Sequence, residues 1–171
     1  MGQSADLLAR LLNVFVKLPV PSVNMLEVCD LKMALLHVAH DDTYSVVCQG
    51  FVGSDIEGEA LLIFSDSSYT DMAKLLKYQG ELNNNAELEL IMDIASILVS
   101  ACIGGIAGQL DLNFSQGYPV VLGQHVNISD LVASNESRWK EPLRLKLFTK
   151  SKTTILPMIY CCCLQKTLLV T

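Results

Sequence analysis

Apolar and polar positions change rhythm along this chain, and each rhythm predicts a different element. From Asp6 to Val16, the residues Leu7, Leu8, Leu11, Leu12, Phe15 and Val16 fall on one broad helical face. A short amphipathic helix is expected there, ended by Pro19 and Pro21. Three strand-like runs follow, Lys32 to His37, Tyr44 to Val52 and Glu59 to Phe64. Asp41-Asp42-Thr43 forms the first turn, and Gly53-Ser54-Asp55 with Gly58 brackets the second. Such close spacing predicts an antiparallel meander. Asp66-Ser67-Ser68 then reads as the cap of a helix from about Tyr69 to Lys77, closing at Gly80.

The longest periodic stretch is Asn84 to Leu110. One apolar line runs Leu88, Ile91, Met92, Ala95, Val99, Cys102 and Ile106. A second runs Leu90, Ile94, Ile97, Ala101, Gly105 and Gly108, so most of the helix surface is covered. Asn84 with Glu87 three residues on has the form of an N-terminal cap and its partner. What remains polar is a narrow ridge of Glu89, Asp93, Ser96 and Ser100, four residues on one line at about 100° per residue. Gly104, Gly105 and Gly108 each cost about 1 kcal/mol relative to Ala inside a helix. Close packing against a neighbour is the expected reason.

Beyond this helix the chain returns to extended structure. Asp111 to Phe114 reads as a strand, Gly117-Tyr118-Pro119 as a turn, and Val120 to Leu122 as extended. Asn127 to Val132 reads as a short helix beginning at Asn127 or Ser129. Leu143 to Phe148 alternates like a strand with one wet face. Thr149 to Lys152 is a hairpin turn, and Thr153 to Leu164 a last strand that Pro157 forces to an edge or a bulge. The order gives a single α+β domain over 1–171, with helices packed on a mainly antiparallel sheet.

Composition narrows the function. The chain is 171 residues long and 51% hydrophobic, enough for one sizeable core. Its net charge of -6 argues against nucleic-acid binding, which draws on clustered Lys and Arg. The N-terminus has no basic region and no small-residue cleavage site, so no secretory signal is expected. It also lacks the Ser or Thr of a myristoylation signal. The uncharged segment Ile94 to Gly108 falls short of the roughly 20 residues that span a bilayer, and extending it brings in Asp93 and Glu89. No membrane insertion is expected. Cys29, Cys48, Cys102, Cys161, Cys162 and Cys163 contain no CxxC pair, so neither a disulfide framework nor a zinc pattern is expected. Cys161 and Cys163 on one strand face and Cys162 on the other read as small buried residues, and the setting as reducing and cytoplasmic.

Candidate chemistry is sparse. His37 and His40 lie three apart on a strand and face opposite sides, and no further ligand spacing supports a metal. His125 stands alone in a loop. No glycine-rich phosphate loop or nucleophile elbow occurs, and neither Cys29 nor Cys48 has the partner of a thiol nucleophile. The polar ridge is what stays in view.

On these residues the chain resembles a known family. Asp93-Ile94-Ala95-Ser96-Ile97-Leu98 is similar to the signature helix of the CheC, CheX and FliY proteins of bacterial chemotaxis. Its pattern there is Glu-x-x-Asn, then Ile or Leu, then small residues. Gly53, Ile56, Gly58 and Ala60 to Ser65, leading into the helix at Tyr69, resemble the family's hairpin and strand, and Pro119 fits the turn after the helix. The resemblance covers roughly Gly50 to Leu122.

It implies a CheC/CheX-like fold and binding to the phosphorylated receiver domain of a CheY-type response regulator, whose aspartyl phosphate such proteins hydrolyse. In that family the acidic residue engages the receiver's lysine and the amide orients the attacking water. Such chemistry needs positioning and charge placement more than covalent help. The receiver supplies Mg²⁺, so no cofactor or metal is expected on this chain. By position, Asp93 takes the acidic role and Ser96 the amide role, with Glu89, Asp93, Ser96 and Ser100 as the receiver-binding ridge. Asp keeps the charge with one methylene less, but a serine hydroxyl cannot hold a water where an amide would. Weak or absent phosphatase activity is therefore expected. In the N-terminal helix, Arg10 and Asn13 stand where a second pair would be. The acid is lost, so that helix reads as structural. The alternative is a non-catalytic interaction or scaffold protein on the same fold. A homodimer would match the way CheX pairs through its sheets.

Overall fold

The computed structural model describes residues 6, 9–10, 22–23, 33, 43–53, 57–135, 146–147 and 160–161. In chain order the elements are β1 (Ser22–Val23), β2 (Tyr44–Val52), β3 (Glu57–Ser65), a 3-10 turn (Asp66–Ser68), α1 (Tyr69–Leu75), α2 (Asn84–Leu110), β4 (Ser115–Gln116), β5 (Val120–Val126), α3 (Ile128–Ser134), β6 (Lys146–Leu147) and β7 (Tyr160–Cys161).

Strand β2 is the axis. On one edge it pairs with β3 over its whole length, from Tyr44 opposite Ser65 to Val52 opposite Glu57. On the other edge it pairs with β5, from Tyr44 opposite Val126 to Cys48 opposite Val120, and then with β4 at Phe51 and Val52. All these pairings are antiparallel. A small sheet ordered β1-β6-β7 lies beside β3 through β7. Helices against a mainly antiparallel sheet make this an α+β fold, as the element order predicts.

Tyr44 to Gln49 are all buried. A strand covered on both faces reads as a nearly continuous apolar run, which is why its limits are plain in the sequence. Val47 and Phe51 of β2 join Ala60, Leu62 and Phe64 of β3 in a floor, and α2 lays Ile91, Ile94, Ala95, Leu98, Val99, Ala101 and Ile103 on it. Tyr69 and Met72 of α1 close one side. Each fully buried Leu, Ile or Phe contributes about 1.5–3 kcal/mol, so this seam holds the fold together. Phe114, just beyond α2, meets Phe51 edge-on with ring centroids 5.8 Å apart. The approach also fixes Gly53, where a Cβ would sit 2.7 Å from the Phe114 ring.

Helix α2 spans the stretch its periodicity predicts, but its cap is Asn83, one residue earlier than expected. The Asn83 side chain accepts a hydrogen bond from the Ala86 N–H at 3.0 Å. At the other end Asp111 adopts φ 53°, and the Leu112 N–H reaches back to the Ala107 carbonyl. This left-handed closure replaces the strand expected over Asp111 to Phe114, and the strand begins only at Ser115. α1 ends at Leu75 with Lys77 at φ 55°, before Gly80. Of the three helix glycines, Gly105 is buried while Gly104 and Gly108 are exposed, so close packing within the domain accounts for the first alone.

Other expectations meet the structure at fewer points. Asp6, Ala9 and Arg10 are helical, with an Arg10–Asp6 ion pair of 2.8 Å. The strand expected over Lys32 to His37 is described only at Met33, which is helical and exposed. β6 and β7 pair as the two arms of the expected hairpin, Lys146 opposite Cys161. The turn at 149–152, His37, His40 and Asn13 lie outside the described residues. Residues 84–109 of α2 are long and apolar enough to cross a membrane by length and composition, but more than half of the apolar window is buried within the domain.

Candidate functional site

The ridge occupies the side of α2 turned away from the sheet. Helix rise and rotation set Asp93 and Ser96 one turn apart, about 4.5 Å along the axis. Glu89, Asp93 and Ser100 are exposed, and Ser96 is half-buried. Met92 and Ile97, also half-buried, flank them. Gly104 continues the exposed line without a side chain. Among the described residues no hydrogen bond or ion pair engages the side chains of Glu89, Asp93 or Ser96. Ser100 differs, because its hydroxyl donates to Oε1 of Gln116 at 2.9 Å and so ties the ridge to β4. The ridge therefore presents two carboxylates and one hydroxyl. The carboxylates can receive a partner's cationic group, and the hydroxyl can donate once and accept.

A second polar constellation lies at the N-terminal end of α2, and sequence spacing gave no sign of it. His125 is in β5, not in a loop, where the register to β2 shifts twice. Each shift sets an extra residue into β5, and His125 takes φ 54°. That left-handed conformation is uncommon outside glycine, although histidine is among the side chains that tolerate it. The turn aims the ring between two carboxylates. Nδ1 lies 2.8 Å from Asp66 Oδ2, and Nε2 lies 3.0 Å from Glu87 Oε2.

Neither carboxylate serves its helix as expected. The 3-10 turn and α1 have no side-chain cap. Instead Asp66 accepts hydrogen bonds from the Thr43 hydroxyl and, at 3.2 Å, from the Ser45 hydroxyl. Ser45 in turn accepts from the Tyr69 hydroxyl at 2.7 Å. Glu87 accepts from the Gln124 amide at 3.4 Å. The hydrogen bond to Asp66 raises the His125 pKa above its ordinary value against a smaller opposing effect of burial, and the charges of Asp66 and Glu87 add to the rise. Burial raises the Tyr69 pKa, so that phenol stays neutral.

Both ring nitrogens of His125 are thus engaged, and among the described residues no group of three or more His, Cys, Asp or Glu side chains could hold a metal ion. Cys48 and Cys102 are buried. Asp66, Glu87 and His125 are far apart in sequence; Tyr44, paired with Ser65 on one edge and Val126 on the other, sets Asp66 near His125, and α2 brings Glu87.

The sequence matches no protein-family profile and no curated protein. The structure does find neighbours. It resembles FliY of Thermotoga maritima with a TM-score of 0.67 at 14% identity, over 96% of this chain and 83% of that one. It also resembles a CheC-like superfamily protein from Shewanella sp. PV-4 with a TM-score of 0.55 at 14% identity, over 95% of this chain and 92% of that one. The chain has the fold of the FliY and CheC-like proteins.

Proposed function

We propose, with this FliY- and CheC-like fold as the premise, that the chain docks on the phosphorylated receiver domain of a CheY-type response regulator through the outer face of α2. The observation that carries the reading is the ridge itself. On a long helix otherwise committed to the core, an acid and a hydroxyl stand one turn apart, exposed or half-exposed, at the position where the family's acid and amide resemble them. Asp93 receives the receiver's lysine, Glu89 adds a second carboxylate one turn earlier, and Ser96 faces the phosphoryl group. The Mg²⁺ at the phosphate belongs to the receiver, and the encounter takes place in the cytoplasm.

Hydrolysis is slow or absent in this reading. An amide can donate to one oxygen and accept from another, and so fixes the direction of a water. The Ser96 hydroxyl is shorter, and a misplacement of about 1 Å can lower the rate about a hundredfold. A second reading, a scaffold that ignores phosphate, draws support from Ser100, whose hydroxyl is already bound to Gln116.

The test is the decay of an acyl-phosphorylated CheY-type receiver with Mg²⁺, with and without this protein, beside binding to the phosphorylated and unphosphorylated forms. Phosphate-dependent binding that weakens at least about tenfold in Asp93→Ala, a loss of about 1.4 kcal/mol, is expected. Binding unchanged by that substitution would remove the site assignment. Equal binding to both receiver forms would favour the scaffold.

A further inference from the structure

We infer that His125 is a protonation-dependent pin that, as an imidazolium, fastens the turn after β3 to the first turns of α2 and so fixes the end of the helix carrying Glu89 and Asp93. A neutral imidazole has one N–H, whereas the charged ring has two. Nδ1 hydrogen-bonds Asp66 at 2.8 Å and Nε2 lies in ion-pair contact with Glu87 at 3.0 Å, and only the charged ring carries an N–H toward each carboxylate. The neutral ring would turn a lone pair toward one of them. The two acceptors also have partners besides the ring, Asp66 in Thr43 and Ser45, and Glu87 in Gln124. Strand β5 holds the ring in turn through its left-handed residue and through the His125 N–H, which donates to the Ser45 hydroxyl at 3.3 Å.

The groups that meet the ring from the neighbouring elements are few. The 3-10 turn presents Asp66, and α2 presents Glu87. α1 presents Tyr69, with ring centroids 5.8 Å apart. Thr43 and Ser45, at the start of β2, bring only hydroxyls. α3, which follows β5, carries its single acid, Asp130, in an exposed first turn. No described lysine or arginine pairs with either carboxylate, so the histidine is their cation.

The sign of the pH dependence follows. A histidine held by carboxylates stabilises the fold fully below the ordinary histidine value of about 6.5, and that stabilisation is lost as pH rises through its raised folded value. The pin itself is independent of the proposed receiver binding; its effect on the ridge rests on that proposal.

The experiment is a melting series from about pH 5.5 to 9, with NMR titration of the histidine ring protons. His125 is identified among the three histidines by its loss in His125→Gln. In the wild-type protein the His125 ring should titrate above about 6.5, and Tm should fall across that titration. His125→Gln should flatten the step, and Glu87→Gln should lower the ring's midpoint and shrink it. Backbone amides in the first two turns of α2 should exchange faster above the midpoint. A ring midpoint at or below about 6.5, or a wild-type melting profile parallel to that of His125→Gln, would overturn the inference. Should His125→Gln not fold, the wild-type titration and Glu87→Gln decide. Receiver binding measured over the same range should weaken with the same midpoint. Absence of receiver binding at every pH refutes the proposed function and leaves the melting result to judge the pin.

Discussion

Ser96→Asn is the substitution that asks most of the ridge. The side chain is half-buried on the outer face of α2, one turn beyond the exposed Asp93. Asparagine replaces the hydroxyl with an amide that reaches about one further C–C bond, roughly 1.5 Å. That is the distance over which reacting groups gain or lose about two orders of magnitude. It also supplies both a donor and an acceptor, which a single hydroxyl cannot aim separately. Serine and asparagine are close in helix propensity, so the fold should change by no more than about 0.5 kcal/mol. The assay is single-turnover loss of the acyl phosphate from a CheY-type receiver with Mg²⁺, at protein concentrations above the measured Kd. An acceleration of about a hundredfold over the wild-type protein is expected, and Asp93→Ala in the same background should abolish it. A folded Ser96→Asn protein that binds the phosphorylated receiver yet leaves its decay unchanged would refute the reasoning. The ridge would then not face the phosphoryl group.

Two further substitutions test the architecture that carries the ridge. Ile94→Ala, at a position 1% exposed in the α2–sheet seam, should cost about 2–5 kcal/mol in denaturant unfolding. A loss under about 1 kcal/mol would mean that α2 does not pack on the sheet as described. Asn83→Ala should cost about 1 kcal/mol by removing the cap on Ala86, whereas Asn84→Ala should cost little. The reverse order would return the cap to Asn84.

Where each residue's neighbours in sequence are also its partners in space, the sequence is a good guide. Tyr44 to Val52 and Asn84 to Leu110 emerge with their limits intact, because a doubly covered strand is apolar throughout and a long helix repeats its stripe many times. The ridge is legible for the same reason. The failures are local signals overruled by distant ones. Asp66 and Glu87 have the spacing of caps, but short carboxylates also bond across the fold, and here they do so with His125. Met33 sits in a short apolar run rich in Leu, Lys, Met and Ala, good helix formers, and such a run fits either element. Asp111 looks like the start of an alternating strand, but its backbone turns left-handed to close the helix. His125 carries no mark of its partners, since a strand's register is not written at any one position.

The double edge of β2 has a consequence for how this domain tolerates change. Its peptide groups are bonded to β3 on one side and to β5 and β4 on the other, and its side chains from Tyr44 to Gln49 and at Phe51 are buried. Opening it means undoing most of the sheet at once, so the cooperative heart of the domain lies beneath α2, not on its outer face. Substitutions at exposed positions typically move stability by less than about 0.5 kcal/mol. An acid paired with an amide and an acid paired with a hydroxyl are then almost equally foldable on this scaffold. On the proposed reading, the chemistry of the helix face can then pass between catalysis and recognition while the architecture that displays it stays put.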